Sequence, residues 1–155
     1  MNLTLRLPEP ADYAEIATWI PDAKACARWA GPNLLFPFTS TELQERLSVS
    51  GGQSYCLVKV SSIALGFGQY WALTPGSVHL GRIIVSPALR GQGAGRLLCE
   101  QLIELAVRAT DANTVTLRVY RDNDFARKLY AKLGFEPVEA ESAGDVLFMK
   151  KHVSV

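Results

Sequence analysis

The chain predicts an α/β domain: one mixed, mostly antiparallel sheet flanked by about four helices. Three observations lead there. Residues 54–85 carry three β-rich segments in a row, helical spacing of apolar residues recurs on either side of them, and strand and helix patterns alternate through the last third of the chain. With 155 residues, 48% of them hydrophobic and 20% charged, the chain can bury one full core, so residues 1–155 are expected to form a single domain.

Taken in order, "LTLRL" at 3–7 alternates like a half-buried strand, and "PEPADYAEIATWI" follows with prolines and then a helical spacing of Tyr13, Ile16 and Ile20. Residues 25–38, "ACARWAGPNLLFPF", are rich in aromatics and punctuated by Gly31, Pro32 and Pro37, which predicts a loop anchored by apolar side chains. Thr39 or Ser40 can cap a helix over "TELQERLSV". The segments "SYCLVKV", "IALGFGQYWAL" and "VHLGRIIV", parted by "SS" and "TPGS", predict an antiparallel meander. After a glycine-rich stretch, Leu98, Leu102, Leu105 and Ala109 mark one face of a helix. "TVTLRVY" is then a strand, and "NDFARKLYAKL" is a helix stopped by Gly134. "FEPVEA" and "DVLFMKK" are two closing strands, so the order is β-α-α-β-β-β-α-β-α-β-β.

Sixteen basic against fifteen acidic residues leave a formal net charge of +1, which gives no overall field for nucleic acid or an anionic membrane. Cys26, Cys56 and Cys99 lie far apart without a CxxC pair, which suits neither a disulfide framework nor a metal site. "MNLTLRLPEP" lacks the apolar stretch of a secretory signal, and no apolar run approaches the roughly 20 residues of a membrane helix, so a cytoplasmic location is expected.

The stretch "RIIVSPALRGQGAGRLL", residues 82–98, carries the functional information. Glycines between a strand and a helix can serve a tight turn alone. Three of them in five positions also leave backbone N–H groups bare at a helix N-terminus, where the dipole adds about half a positive charge and favours an anion. A nucleoside triphosphate loop is excluded, because Gly95 is followed by Arg96 and Leu97 and not by Lys and Ser or Thr. The dinucleotide fingerprint fails as well: Arg96 and Leu98 stand three residues after Gly93 and Gly95, and the preceding strand reads as the end of a meander instead of the start of a βαβ unit.

The run Arg90-Gly91-Gln92-Gly93-Ala94-Gly95, preceded by "IIVSP", resembles the pyrophosphate loop of the GCN5-related N-acetyltransferase (GNAT) family, Arg/Gln-x-x-Gly-x-Gly/Ala. A second feature of that family, Asn-x-x-Ala-x-x-Leu-Tyr-x-x-x-Gly-Phe, is matched by Asn123, Ala126, Leu129, Tyr130, Gly134 and Phe135. The order of elements is also similar to the family's, so the resemblance covers nearly the whole chain.

The resemblance implies acetyl-coenzyme A as cosubstrate, no metal, and a primary amine of a small molecule or peptide as acceptor, joined by direct attack in a ternary complex. It implies pyrophosphate on the N–H groups of 90–95, and a pantetheine arm running beside Ile83, Ile84 and Val85 in a splay between the fourth and fifth strands, with the N–H of Val85 at the thioester carbonyl. Asn123 would bond that arm as well as cap a helix. Tyr130 would be the acid at the departing thiol, although phenol and thiol reference values leave that transfer uphill by roughly 2 kcal/mol and favour hydrogen-bond donation. The acceptor needs to lose a proton, at about 4.6 kcal/mol for an alkyl ammonium at pH 7. His79 stands where many members carry a base, and strand parity puts it on one face with Gly81, Ile83 and Val85; a plain hydrogen-bonded imidazole fits the same position. Relatives that acetylate ribosomal-protein N-termini use a glutamate where this chain has Arg118.

The family's acceptor pocket corresponds to Trp29, Phe36 and Phe38, with Tyr70 and Trp71 as further candidates, though aromatics in a small domain are commonly core. Pairing across the last strands is the route to a homodimer. A coenzyme A or acyl-coenzyme A sensor without catalysis is the competing function.

Overall fold

The computed structural model describes residues 2–153. Strands β1 (Thr4–Arg6), β2 (Gly52–Val58), β3 (Gly66–Thr74), β4 (Ser77–Val85), β5 (Thr114–Tyr120), β6 (Glu136–Pro137) and β7 (Val146–His152) form one sheet in the order β1-β2-β3-β4-β5-β7-β6. Its helices are α1 (Pro10–Ala17), α2 (Ala23–Ala30), α3 (Ser40–Arg46), α4 (Ala94–Thr110) and α5 (Asp124–Lys132). The meander β2-β3-β4 is antiparallel as the turn residues require, and the only parallel neighbours among the described strands are β4 and β5. The strand before the glycine loop therefore ends a meander and also opens a β4-α4-β5 crossover, which corrects the first of these readings as an alternative to the second.

The segment read as a loop from residue 25 begins inside α2. The signal was present: Asp22 accepts from Ala25 N at 2.8 Å as an N-cap, and the alanine-rich run that follows has high helix propensity. The aromatics and prolines just beyond it masked an eight-residue helix. The third helix before β2 takes the helix number to five where about four were expected.

On α4 the buried stripe is Ala94, Leu98, Cys99, Leu102 and Ala106, so the apolar face is rotated from the one that includes Ala109, which is exposed. Gly68 on β3 lets this helix approach, since a Cβ there would come within 2.9 Å of Leu102 Cδ2. α4 and α5 cover one face of the sheet, and Tyr13, Ile16, Leu43 and Leu47 pack with Phe67 on the other.

A buried carboxylate ties three separate segments together. Asp12, 1% exposed, accepts from Arg6 Nη1 (2.6 Å) and Nη2 (3.0 Å), from Glu9 N (2.7 Å) at the start of α1, and from Ala64 N (2.9 Å) before β3. Burial alone would raise its pKa, but the Arg6 hydrogen bonds and the two backbone donors outweigh that and hold it below the ordinary value. The folded value lies below the unfolded one, so this contribution is complete above the unfolded pKa and is lost as pH falls through the folded pKa. Asp12→Ala strands two backbone donors and a guanidinium. It is expected to cost about 3 kcal/mol in denaturant melts at pH 7, with a smaller difference from the parent at pH 3.

Candidate active site at the parting of β4 and β5

β4 and β5 are paired only over Ser77–His79 and Thr114–Thr116. Beyond this the strands separate, while β5 keeps its pairing with β7 from Thr114 to Tyr120. The cause lies in β4. Gln69 of β3 faces Gly81 while Phe67 faces Ile84, so one extra residue bulges from β4, and Arg82 takes a left-handed φ of 51°. That conformation is costly for a residue with a Cβ. It is held by Trp29 Nε1, which donates to the Arg82 carbonyl at 2.9 Å, and by Gln69 Oε1, which accepts from Arg82 Nη1 at 2.9 Å. Gln69 is itself fully buried and fixed through its amide nitrogen to Leu47 O and Ser54 Oγ.

The bulge changes the expected parity. His79 and Gly81 share their face with Ile84, whereas Ile83 and Val85 turn to the α4 side, where they pack near Leu98. An extra residue shifts every later side chain to the opposite face, and no residue type in "GRIIV" announces it.

A cavity of about 620 Å³ fills the gap, with Leu80, Gly81, Arg82 and Ile83 on one wall and Leu117, Arg118, Val119 and Tyr120 on the other. On the face opposite α4, His79 lies between Trp71 (ring centroids 5.1 Å apart) and Phe148 (6.3 Å). Arg82 lies 5.8 Å over Trp71 and Arg118 4.9 Å over Phe148, so the row reads Arg82, Trp71, His79, Phe148, Arg118. Gly81 makes room for the indole, because a Cβ there would stand 2.3 Å from Trp71 Cη2. Trp29 borders the cavity from α2, and Arg28 on the same helix pairs with Asp122 and covers Tyr120 at 4.3 Å. His79 Nδ1 is 2.8 Å from Thr116 Oγ1. Burial, and in second place Arg118, push its pKa down to about 4, so the imidazole is neutral at pH 7.

From the α4 side, Tyr130 and Asn123 reach the same cavity. Tyr130 is buried against Phe135, and burial, followed by Cys99, pushes its phenol pKa well above the ordinary value. Asn123 caps α5, with Oδ1 accepting from Ala126 N at 3.2 Å, which leaves its amide NH₂ as a donor.

The glycine loop lies at the end of β4. Gly91 (φ 78°) and Gly93 (φ 83°) both require the left-handed region, and a Cβ at either would meet nothing within 4 Å, so the backbone faces open space. Gly93 caps α4 without a side-chain bond, no acidic residue stands in the first turn, and Arg90, Gly91, Gln92 and Gly93 are exposed. Buried Ala94 and half-buried Gly95 anchor the turn, Gly95 against Val85 and Leu129. Bare donors at a positive helix end fit a pyrophosphate.

Of the aromatics proposed for an acceptor pocket, Trp29 and Trp71 line the cavity. Tyr70 points the other way, into the α4 core with Leu80, and stacks on Tyr55. Its neighbour Trp71 takes the site face because side chains alternate along β3. Phe36 and Phe38 pack edge to face on each other, and Phe38 joins the α1–α3 core; neither lines the cavity. Arg28, Arg82, Thr116 and Phe148 were not singled out in the sequence. Strand parity with Arg118 could have found Thr116, but the other three depend on the bulge, on α2 and on cross-strand register.

The model of the acetyltransferase (GNAT) family matches residues 22–135. The chain belongs to that family. This makes it an acetyl-coenzyme A-dependent N-acetyltransferase. Among solved structures, the chain is similar to spermidine N-acetyltransferase from Vibrio cholerae in complex with CoA and spermine: 19% identity, TM-score 0.77, covering 97% of this chain and 95% of that one. It is also similar to AAC(6')-Ib in complex with ribostamycin and coenzyme A, at 20% identity and TM-score 0.75, covering 98% and 94% of the two chains. A third is PaiA N-acetyltransferase from Thermoplasma acidophilum in complex with coenzyme A, at 16% identity and TM-score 0.71, covering 98% and 99%. At these identities the likeness is one of fold.

The low pKa of His79 has a consequence for stability. Its folded value lies below the unfolded value near 6.5, so the unfolded chain binds the extra proton first and stability falls as pH drops from about 6.5 to about 4. In His79→Gln, urea midpoints are expected to lose this dependence, on the order of 3 kcal/mol over that range. An NMR titration of the parent should show no imidazole shift for His79 above pH 5.

Proposed function

We propose that the protein acetylates a primary amine, of a small molecule or of a lysine or N-terminus in a peptide, by direct attack in a ternary complex. The carrying observation is the single cavity in the β4–β5 gap. Its walls come from both sheet faces, with Tyr130 and Asn123 on the α4 side and Trp29, Trp71 and His79 on the other. Donor and acceptor can thus meet from opposite sides. The solved neighbours holding coenzyme A together with spermine or ribostamycin support this reading.

Acetyl-coenzyme A supplies the activated thioester. Residues 90–95 hold its pyrophosphate, and the amide of Asn123 and the backbone of Ile83 to Val85 hold the arm. Ser86 N donates toward β3, to Leu65 O at 2.8 Å, so strand alternation directs the Val85 N–H to the opposite edge, the one that β5 has left. That N–H is the donor to the thioester oxygen. Tyr130, with its raised pKa, keeps its proton and stabilises the leaving sulfur as a hydrogen-bond donor.

His79 at about 4 is too weak to deprotonate an alkyl ammonium outright, an uphill step of about 9 kcal/mol. Its part is to accept a hydrogen bond from the amine that arrives uncharged. That requires Nδ1–H to donate to Thr116 Oγ1 and leaves Nε2 as acceptor.

Thiol release from acetyl-coenzyme A with a panel of amines tests the activity. Strong thermal stabilisation by coenzyme A without release from any amine would instead indicate a sensor. With a competent acceptor, Tyr130→Phe is expected to lower kcat by about 100-fold. The acidic limb of kcat/KM should follow the pKa of the acceptor; a limb fixed across acceptors and abolished in His79→Ala would make His79 the base.

A further inference from the structure

We infer that the acceptor carries an anionic group, a carboxylate, close to its amine, a claim that rests on the acetyltransfer reading above. The cavity is lined by Arg28, Arg82 and Arg118, and among the described residues no Asp or Glu lines it. Arg28 is matched by Asp122. Arg82 and Arg118 make no ion pair among the described residues. Arg82 is half-buried, and burial lowers its pKa, which marks a cation held where water solvates it poorly.

Both guanidiniums lie on the sheet face opposite α4, at the two ends of the row that has His79 at its centre. The pyrophosphate loop and Tyr130 belong to the other side, so these charges are not needed for the phosphates of the donor. Each guanidinium lies beside an aromatic ring; Arg118 makes no side-chain hydrogen bond among the described residues and can offer a carboxylate two parallel N–H···O bonds, while Arg82 gives one N–H to Gln69 Oε1 and keeps its other donors.

The same field works against a polycation. An ammonium beside His79 would face Arg118, whose charge already depresses that imidazole, and would find no carboxylate on the cavity wall. For an amine with a carboxylate, Arg118 or Arg82 binds the anion and the residual positive field favours the uncharged, attacking form of nitrogen. The neighbours solved with spermine or ribostamycin accommodate polyamines, and the inference places this chain apart from them in acceptor charge.

The experiment compares matched acceptors with acetyl-coenzyme A at fixed ionic strength: L-phenylalanine and phenethylamine, L-tryptophan and tryptamine, L-alanine and ethylamine, with spermidine and kanamycin as polycations. For each pair kcat/KM should favour the carboxylate-bearing member by about 10- to 100-fold, the size of one charge-assisted bidentate contact. In Arg118→Gln and Arg82→Gln that ratio should fall toward one, chiefly through KM. Coenzyme A stabilisation of both variants checks that they are folded. Equal or faster turnover of the decarboxylated amines or of spermidine overturns the carboxylate assignment and leaves acetyltransfer standing. No thiol release from any amine overturns the acetyltransfer reading and this inference with it.

Discussion

The site depends on β4 being unable to follow both of its neighbours. β5 is committed to β7 along its whole length, and β4 to β3, and the bulge at Arg82 turns β4 away after three residues shared with β5. A sheet that parts in its middle leaves backbone donors and acceptors without partners, normally a cost of about 1–3 kcal/mol for each buried group. Part of that cost is met by Trp29, which takes the Arg82 carbonyl from α2. The rest is available to a ligand that lies along β4 as an extra strand.

Burial acts in opposite directions on His79 and Tyr130 with the same chemical result. It lowers the pKa of His79 and raises that of Tyr130, so both remain uncharged at neutral pH. A neutral imidazole and a neutral phenol suit a reaction in which an uncharged amine enters and a developing thiolate needs a hydrogen bond. The arginines supply the fixed charge, outside the line of transfer. In this reading substrate selection falls to arginines on the face opposite α4, and the chemistry is divided between His79 on that face and Tyr130 on the α4 side.

The glycine loop and the Asn123–Tyr130 motif were legible because both are local. Each is a contiguous run on one strand–helix or turn–helix junction, and spacing alone tested them against other phosphate-binding loops. The meander was equally plain from its turns. What failed was set by long-range geometry. Tyr70 and Trp71 are adjacent in sequence and face opposite cores, and the sequence does not say which face is the site. The parity along β4 broke at a bulge whose cause, a bond from Trp29 and a buried Gln69, comes from α2 and β3. The row from Arg82 to Arg118 draws on four strands, so it exists only after the sheet has formed.

A crystal structure with bound coenzyme A decides whether the gap between β4 and β5 is the donor site. Pyrophosphate oxygens are expected within hydrogen-bond distance of the N–H groups of residues 91–95, the pantetheine arm between β4 and β5, and the sulfur nearer to Tyr130 than to His79. Coenzyme A bound outside the gap, or β4 and β5 closed on each other beyond His79 and Thr116, would contradict it.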